Sequence, residues 1–214
     1  MTPRRVSLAV LLAVAAVVMA RTESSAAEWK PLFNGKDLTG WKAVGGPAES
    51  WRVVDGLLSC NGKGGGWLAT DDEYSNFEIE LEYRISAGGN SGVFLRTPLE
   101  GDPAFTGMEV QILDDHNPKY ANIKEWQHCG SLYGIVAAPP LVAKKAGEWQ
   151  KMHIVCNGKR VKVTLNGMEL VDADLTAHPD KEAEHPGIKR TTGRIGLQNH
   201  STEVDFRNVR IREL

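Results

Sequence analysis

From residue 77 to 85 every odd position is apolar and every even position charged: Phe77-Glu78-Ile79-Glu80-Leu81-Glu82-Tyr83-Arg84-Ile85. A period of two predicts a half-buried strand, because a helix would repeat its apolar positions every three or four residues. Met152-His153-Ile154-Val155-Cys156, Val161-Lys162-Val163-Thr164-Leu165 and Leu170-Val171 read as a three-stranded meander. The pairs Asn157-Gly158 and Asn166-Gly167 between them supply the positive φ that tight hairpins demand. Further strands are expected at 51–59, 66–69, 91–97, 108–113, 131–137, 194–198 and 203–212. So many short strands separated by turn signals predict an all-β fold, two antiparallel sheets packed face to face as a sandwich or jelly roll. Helix is minor. The stretches 114–130 and 173–192 are too long for hairpins and should cross an end or rim of the sandwich, where sites commonly live.

The N-terminal residues stand apart from this pattern. Arg4 and Arg5 precede an uncharged apolar run over 6–20, which reads as a cleavable export signal, being shorter than the ~20 residues of a bilayer span. Cleavage fits after Ala20 or after Ala27, and the second leaves Glu28-Trp29 to open the domain. The expected organisation is therefore a signal peptide over 1–27 and one domain over 28–214, exported to the periplasm or beyond, with no membrane association after cleavage. Lys plus Arg number 25 and Asp plus Glu 27, so no strong field exists to draw nucleic acid or an anionic membrane, and the expected partner is neutral. The 22 glycines suit a chain of many tight turns. Cys60, Cys129 and Cys156 allow at most one bridge, fit no zinc spacing, and read best as small buried hydrophobes.

Candidate chemistry concentrates in three places. In Glu109-Val110-Gln111-Ile112-Leu113-Asp114-Asp115-His116 the alternation puts Glu109 and Gln111 on one open sheet face and Val110 and Ile112 in the core, with Asp114 and His116 where the strand ends. In Gly88-Gly89-Asn90-Ser91-Gly92-Val93-Phe94-Leu95-Arg96 the glycines let a backbone pass close to something. Alternation there sets Phe94 beside Arg96, an aromatic plate next to a guanidinium, which suits a sugar. In Gly196-Leu197-Gln198-Asn199-His200, Gln198 and His200 share the face opposite Leu197, and histidine can move a proton near neutral pH. Ser131 and Tyr133 add hydroxyls of the kind that line polyol sites. Of six tryptophans, Trp41, Trp51, Trp67 and Trp149 read as core and Trp126, in a long polar loop, as a binding platform. Each group also reads as an ordinary solvated strand face, and Asp71-Asp72-Glu73 as a solvated turn rather than a calcium loop. No Gly-x-Ser-x-Gly, phosphate loop, His-Glu-x-x-His or dinucleotide fingerprint is present.

Taken in order, Leu32-Phe33-Asn34-Gly35-Lys36-Asp37-Leu38-Thr39-Gly40-Trp41, the strand region 71–84, Asn90-Ser91-Gly92-Val93-Phe94-Leu95-Arg96, Glu109-Val110-Gln111-Ile112-Leu113-Asp114 and Gly196-Leu197-Gln198-Asn199-His200 resemble the 3-keto-disaccharide hydrolase family. The resemblance spans essentially the whole chain after the signal and implies a concanavalin A-like lectin/glucanase jelly roll. It also implies cleavage of glycosides already oxidised at carbon 3 by a partner sugar oxidoreductase. A ketone there acidifies the carbon 2 hydrogen, so a base can remove it and expel the carbon 1 substituent without an oxocarbenium ion. On this reading Glu109 or His116 is the base, Asp114 orients His116, and Arg96 and Gln111 polarise the ketone. Tyr133 or His200 protonates the leaving oxygen. Asn90, Phe94, Trp126 and Gln198 complete the sugar contacts. The sequence shows no required cofactor; a divalent ion held by the same acids and histidines stays open. The competing readings are a non-catalytic carbohydrate-binding module and, with less support because the paired acids of a standard glycosidase are not evident, a conventional glucanase.

Overall fold

The alternation at 77–85 becomes β6 (Phe77–Ile85), whose five odd-numbered side chains are buried and whose Glu78, Glu80, Glu82 and Arg84 face outward. The computed structural model describes residues 27–214, so the expected signal over 1–27 lies almost wholly outside the described residues. Among the described residues no helix is long and apolar enough to cross a membrane.

Two antiparallel sheets form an all-β jelly-roll sandwich. The larger runs β11 (Met168–Asp174), β10 (Arg160–Leu165), β9 (Gln150–Asn157), β6, β13 (Glu203–Glu213), β4 (Leu57–Asn61), β3 (Trp51–Val54), and the two-residue β1 (Lys30–Pro31) also pairs with β13. The smaller runs β2 (Trp41–Val44), β5 (Trp67–Thr70), β12 (Arg194–Gln198), β7 (Asn90–Thr97), β8 (Met108–Leu113). Their facing sides share one apolar core, to which β6 gives Ile79 and Leu81, β13 Phe206, β7 Val93 and Leu95, and β8 Val110 and Ile112. The three thiols lie buried and unbridged in that core. On β13 the residues facing the core change parity, Val204 and Phe206 before the register shift and Val209 and Ile211 after it. Asn208, at φ 52°, is the extra residue of that bulge, and it lets both halves of a long strand bury an apolar face.

Four expectations change at this level. The strand at 51–59 is a hairpin, folded at Asp55 and Gly56, which both take positive φ. The turn expected at Asn157-Gly158 falls one residue later, since Asn157 still pairs with Arg160. The strand at 131–137 makes only isolated bridges, Val110 to Leu132 and Leu132 to Val136, because Gly134 at φ 71° doubles the segment back on itself. Trp149, expected in the core, is half-buried, with the guanidiniums of Arg84 and Arg207 over its ring at 4.9 and 4.0 Å. The stretch 114–130 carries two 3-10 turns, Pro118–Tyr120 and Glu125–Gln127, and 173–192 continues from the end of β11 into three more, so neither is a hairpin.

Candidate active site

The outer face of the smaller sheet carries a row of polar side chains. In the β7/β8 ladder Gly92 pairs with Gln111 and Phe94 with Glu109, and in the β7/β12 ladder Gly196 pairs with Phe94 and Leu197 with Val93, which places Gln198 beside Gly92. Past β8, the Gly130 amide donates to the Gln111 carbonyl (2.8 Å) and the Tyr133 amide to the Glu109 carbonyl (2.9 Å). This backbone seam brings the Tyr133 ring to the same face. The face is not open, as the alternation implied, but roofed: all six residues of β8 are buried. One wall is α1 (Pro103–Thr106), started by Pro103 and capped by the Asp102 carboxylate, which accepts from the Ala104 amide at 3.0 Å. Another is the 114–130 loop, pinned where Tyr120 Oη donates to the Gly88 carbonyl (3.1 Å) and Gln127 Nε2 to Tyr133 Oη (3.3 Å). Together they enclose a cavity of about 190 Å³ lined by Asn90, Glu109, Gln111, Tyr133, Gln198 and His200, with Asp102, Phe105, Tyr120, Ile123 and Gln127 on its walls.

Glu109 is only 3% exposed. Burial pushes its carboxyl up to about 8, the Asp102 carboxylate adds to the rise, and a hydrogen bond with Gln198 offsets part of it. Three carboxamide oxygens around it, Asn90 Oδ1, Gln111 Oε1 and Gln198 Oε1, are buried with no hydrogen-bond partner. Such acceptors are costly unless something donates to them, and a hydroxyl-rich ligand would. No lysine or arginine lines the cavity, so it fits a neutral polyol rather than an anion. Among the described residues no three His, Cys, Asp or Glu side chains gather as a ligand set for an ion.

Six expected site residues lie elsewhere. Arg96 is fully buried, and its guanidinium donates to the Ser75 and Gly158 carbonyls (both 2.7 Å) and to Asn76 Oδ1 (3.1 Å). It leaves the face of Phe94 because it takes φ 50° at a register shift between β7 and β12, which breaks the alternation on which the expectation rested. His116 is exposed and its Nε2 meets the Ala143 carbonyl at 2.9 Å, outside the cavity. Asp114 does not orient it, but accepts from the Gly88 amide at 2.7 Å. The Phe94 ring is covered, packed edge-on against Trp67 at 5.6 Å. Trp126 stands behind the wall, edge-on to Tyr133 at 4.8 Å. Ser131, also buried, spends its hydroxyl accepting from the Ala138 amide. Sequence reasoning missed all five residues on the walls, Asp102, Phe105, Tyr120, Ile123 and Gln127; only Asp102 carried a legible signal, an aspartate directly before a proline being a readable helix start.

A larger cavity of about 780 Å³ lies across the larger sheet, by Trp29, Glu80, Glu82, Lys151, Arg207 and Arg210. There Glu80 pairs with Arg210 (2.5 Å) and Glu82 with Arg207 (2.7 Å), only Asp55 among its acids makes no ion pair, and among the described residues it holds no orphaned acceptor. The smaller cavity is the better candidate for chemistry.

Residues 28–212 match the family described as the 3-keto-alpha-glucoside-1,2-lyase-like domain. A protein of Bacteroides thetaiotaomicron named 3-keto-disaccharide hydrolase is 29% identical to this chain, over 86% of this chain and 77% of its own. Two crystal structures from Parabacteroides distasonis, both named as inferred glycosyl hydrolases, share the fold. One is 35% identical with a TM-score of 0.77, covering 87% of this chain and 100% of its own. The other is 29% identical with a TM-score of 0.76, covering 87% and 94%.

Proposed function

The chain belongs to the 3-keto-alpha-glucoside-1,2-lyase-like family, a family of carbohydrate-cleaving enzymes, and on that footing we propose that it splits 3-keto-glycosides by proton abstraction at carbon 2. The Glu109 carboxylate takes the carbon 2 proton, and the electron pair left behind is delocalised as an enolate onto the carbon 3 oxygen. When the ketone re-forms, a carbon 1 to carbon 2 double bond is made and the bond from carbon 1 to the leaving oxygen breaks. That oxygen receives a proton from Tyr133 or His200, and water adding across the new double bond completes net hydrolysis. The carboxamides of Gln111 and Gln198 flank Glu109 and offer N–H groups to the developing enolate. Asn90 and the unpartnered amide oxygens accept from ring hydroxyls. The substrate must first be oxidised at carbon 3, which implies a sugar oxidoreductase acting upstream.

The observation that carries this reading is Glu109 itself, buried in a polyol-sized cavity with its proton held up to about 8. A base of that strength suits a carbon acid better than an ordinary carboxylate does. A standard glycosidase instead needs two carboxyls working across the bond. The second carboxyl here, Asp102, is turned to the N-terminus of α1.

The test compares a 3-keto-disaccharide with its unoxidised parent. Glu109→Gln should lower kcat/KM on the keto sugar by ~100-fold or more, and neither protein should release sugar from the parent. Wild-type rates in the variant would refute the assignment. Binding of the parent with no turnover of either sugar would favour a lectin-like module.

A further inference from the structure

Gly92 sits in the interior of β7, between Ser91 and Val93, both buried. A glycine there is unfavourable, since it weakens a strand and packs nothing. Its backbone does not require it either, for Gly92 is absent from the residues with positive φ. What requires it is space. A Cβ built on Gly92 would fall 2.1 Å from Glu109 Oε1 and 2.8 Å from the Glu109 Cδ and Cγ. Those atoms belong to the buried carboxyl and could not give way without moving it. The pairing explains the approach: Gln111 on one side and Gln198 on the other occupy the row of Gly92, leaving a gap one residue wide, and Glu109 leans into it from the adjacent row.

We propose that Gly92 is a positioning residue: its missing side chain is the socket that holds the Glu109 carboxyl down against the sheet between Gln111 and Gln198. The depth of that seat sets how far the carboxyl is withdrawn from water, and with it the strength of the base. Any side chain at position 92 lifts the carboxyl toward the cavity mouth, where water lowers its proton affinity and its reach to a bound ring changes. The inference rests on the proposed role of Glu109 for its catalytic consequence, but the socket itself is independent of the reaction.

The experiment follows Glu109 directly. A carbon-13 NMR titration of its carboxyl in the wild type and in Gly92→Ala reads the seat without substrate. The expected result is a midpoint in the variant displaced from about 8 toward the ordinary 4.5, and on a 3-keto-glycoside a kcat reduced by ~100-fold with KM changed far less. The double variant Gly92→Ala/Glu109→Asp should be more active than Gly92→Ala, because the shorter acid clears the added methyl. An unchanged NMR midpoint in Gly92→Ala would overturn the proposal even if the family reaction proves to be different. Should Gly92→Ala fold poorly, its thermal midpoint decides: removing the opposing side chain in Gly92→Ala/Glu109→Ala must raise it, and equal midpoints would overturn the socket.

Discussion

Glu109 concentrates the physical consequences of the site. Its carboxyl keeps its proton to about 8 in the folded protein but only to about 4.5, its ordinary value, when the chain unfolds. In its proposed role as base it must be ionised, so kcat/KM should climb with pH and level off above about 8, and this limb should vanish in Glu109→Gln. A rate that falls through the same range would make Glu109 the acid instead. Linkage gives a second expectation. Between pH 4.5 and 8 the folded state binds the extra proton, so this residue's contribution to stability is complete below 4.5 and is lost as pH rises toward 8. Glu109→Gln carries no such titration, and its thermal midpoint relative to wild type should therefore increase steadily from pH 5 to pH 8; a constant difference would contradict the buried, ionising carboxyl. Period-two alternation was enough to put Glu109 beside Gln111, and Gln198 with His200, on one face. The same rule misplaced Arg96, because a non-glycine residue at positive φ has no reliable sequence signal. The assignment of Asp114 to orient His116 fails for another reason: both lie past the end of the strand, and the turn after β8 sends the two side chains to different partners.

At the scale of elements, the strands with strict alternation or asparagine-glycine turns were legible to within a residue or two. The segments with bulges or backbone reversals were not. The 131–137 segment has strand-like composition, but its reversal at Gly134 is decided by packing against His185, whose Nε2 lies 2.2 Å from where a Cβ at that glycine would be. The bulge at Arg96 has a structural purpose that can be measured. Its guanidinium ties the end of β7 to carbonyls of the 74–76 and 158 turns, and a lysine cannot reproduce that fork. Arg96→Lys should cost about 3 kcal/mol, or roughly 6–12 °C in thermal midpoint, while leaving KM for the keto sugar near wild type. A large KM change with little loss of stability would return Arg96 to the site. For α1, Asp102→Ala removes a cap worth ~1 kcal/mol and the carboxylate that helps hold the Glu109 proton. The rising limb of the pH profile should move to lower pH in this variant, and an upward move would contradict the placement of Asp102.

On the whole molecule, the sandwich divides labour between its two outer faces. The larger sheet carries a ladder of half-exposed pairs, Glu78 with Arg212, Glu80 with Arg210 and Glu82 with Arg207, which keep that face polar and individually add little stability. The smaller sheet, roofed by α1 and the 114–130 loop, withdraws one acid and three amide oxygens from water. Under the proposed mechanism the chemistry depends on carbon-acid ionisation rather than on a pair of carboxyls. The most direct test is cleavage of a 3-keto-disaccharide in deuterium oxide, with an enzyme-free control for spontaneous exchange. Removal of the carbon 2 proton followed by hydration predicts a ring product that carries solvent deuterium at carbon 2 well above the control; cleavage with the original hydrogen retained there would contradict it.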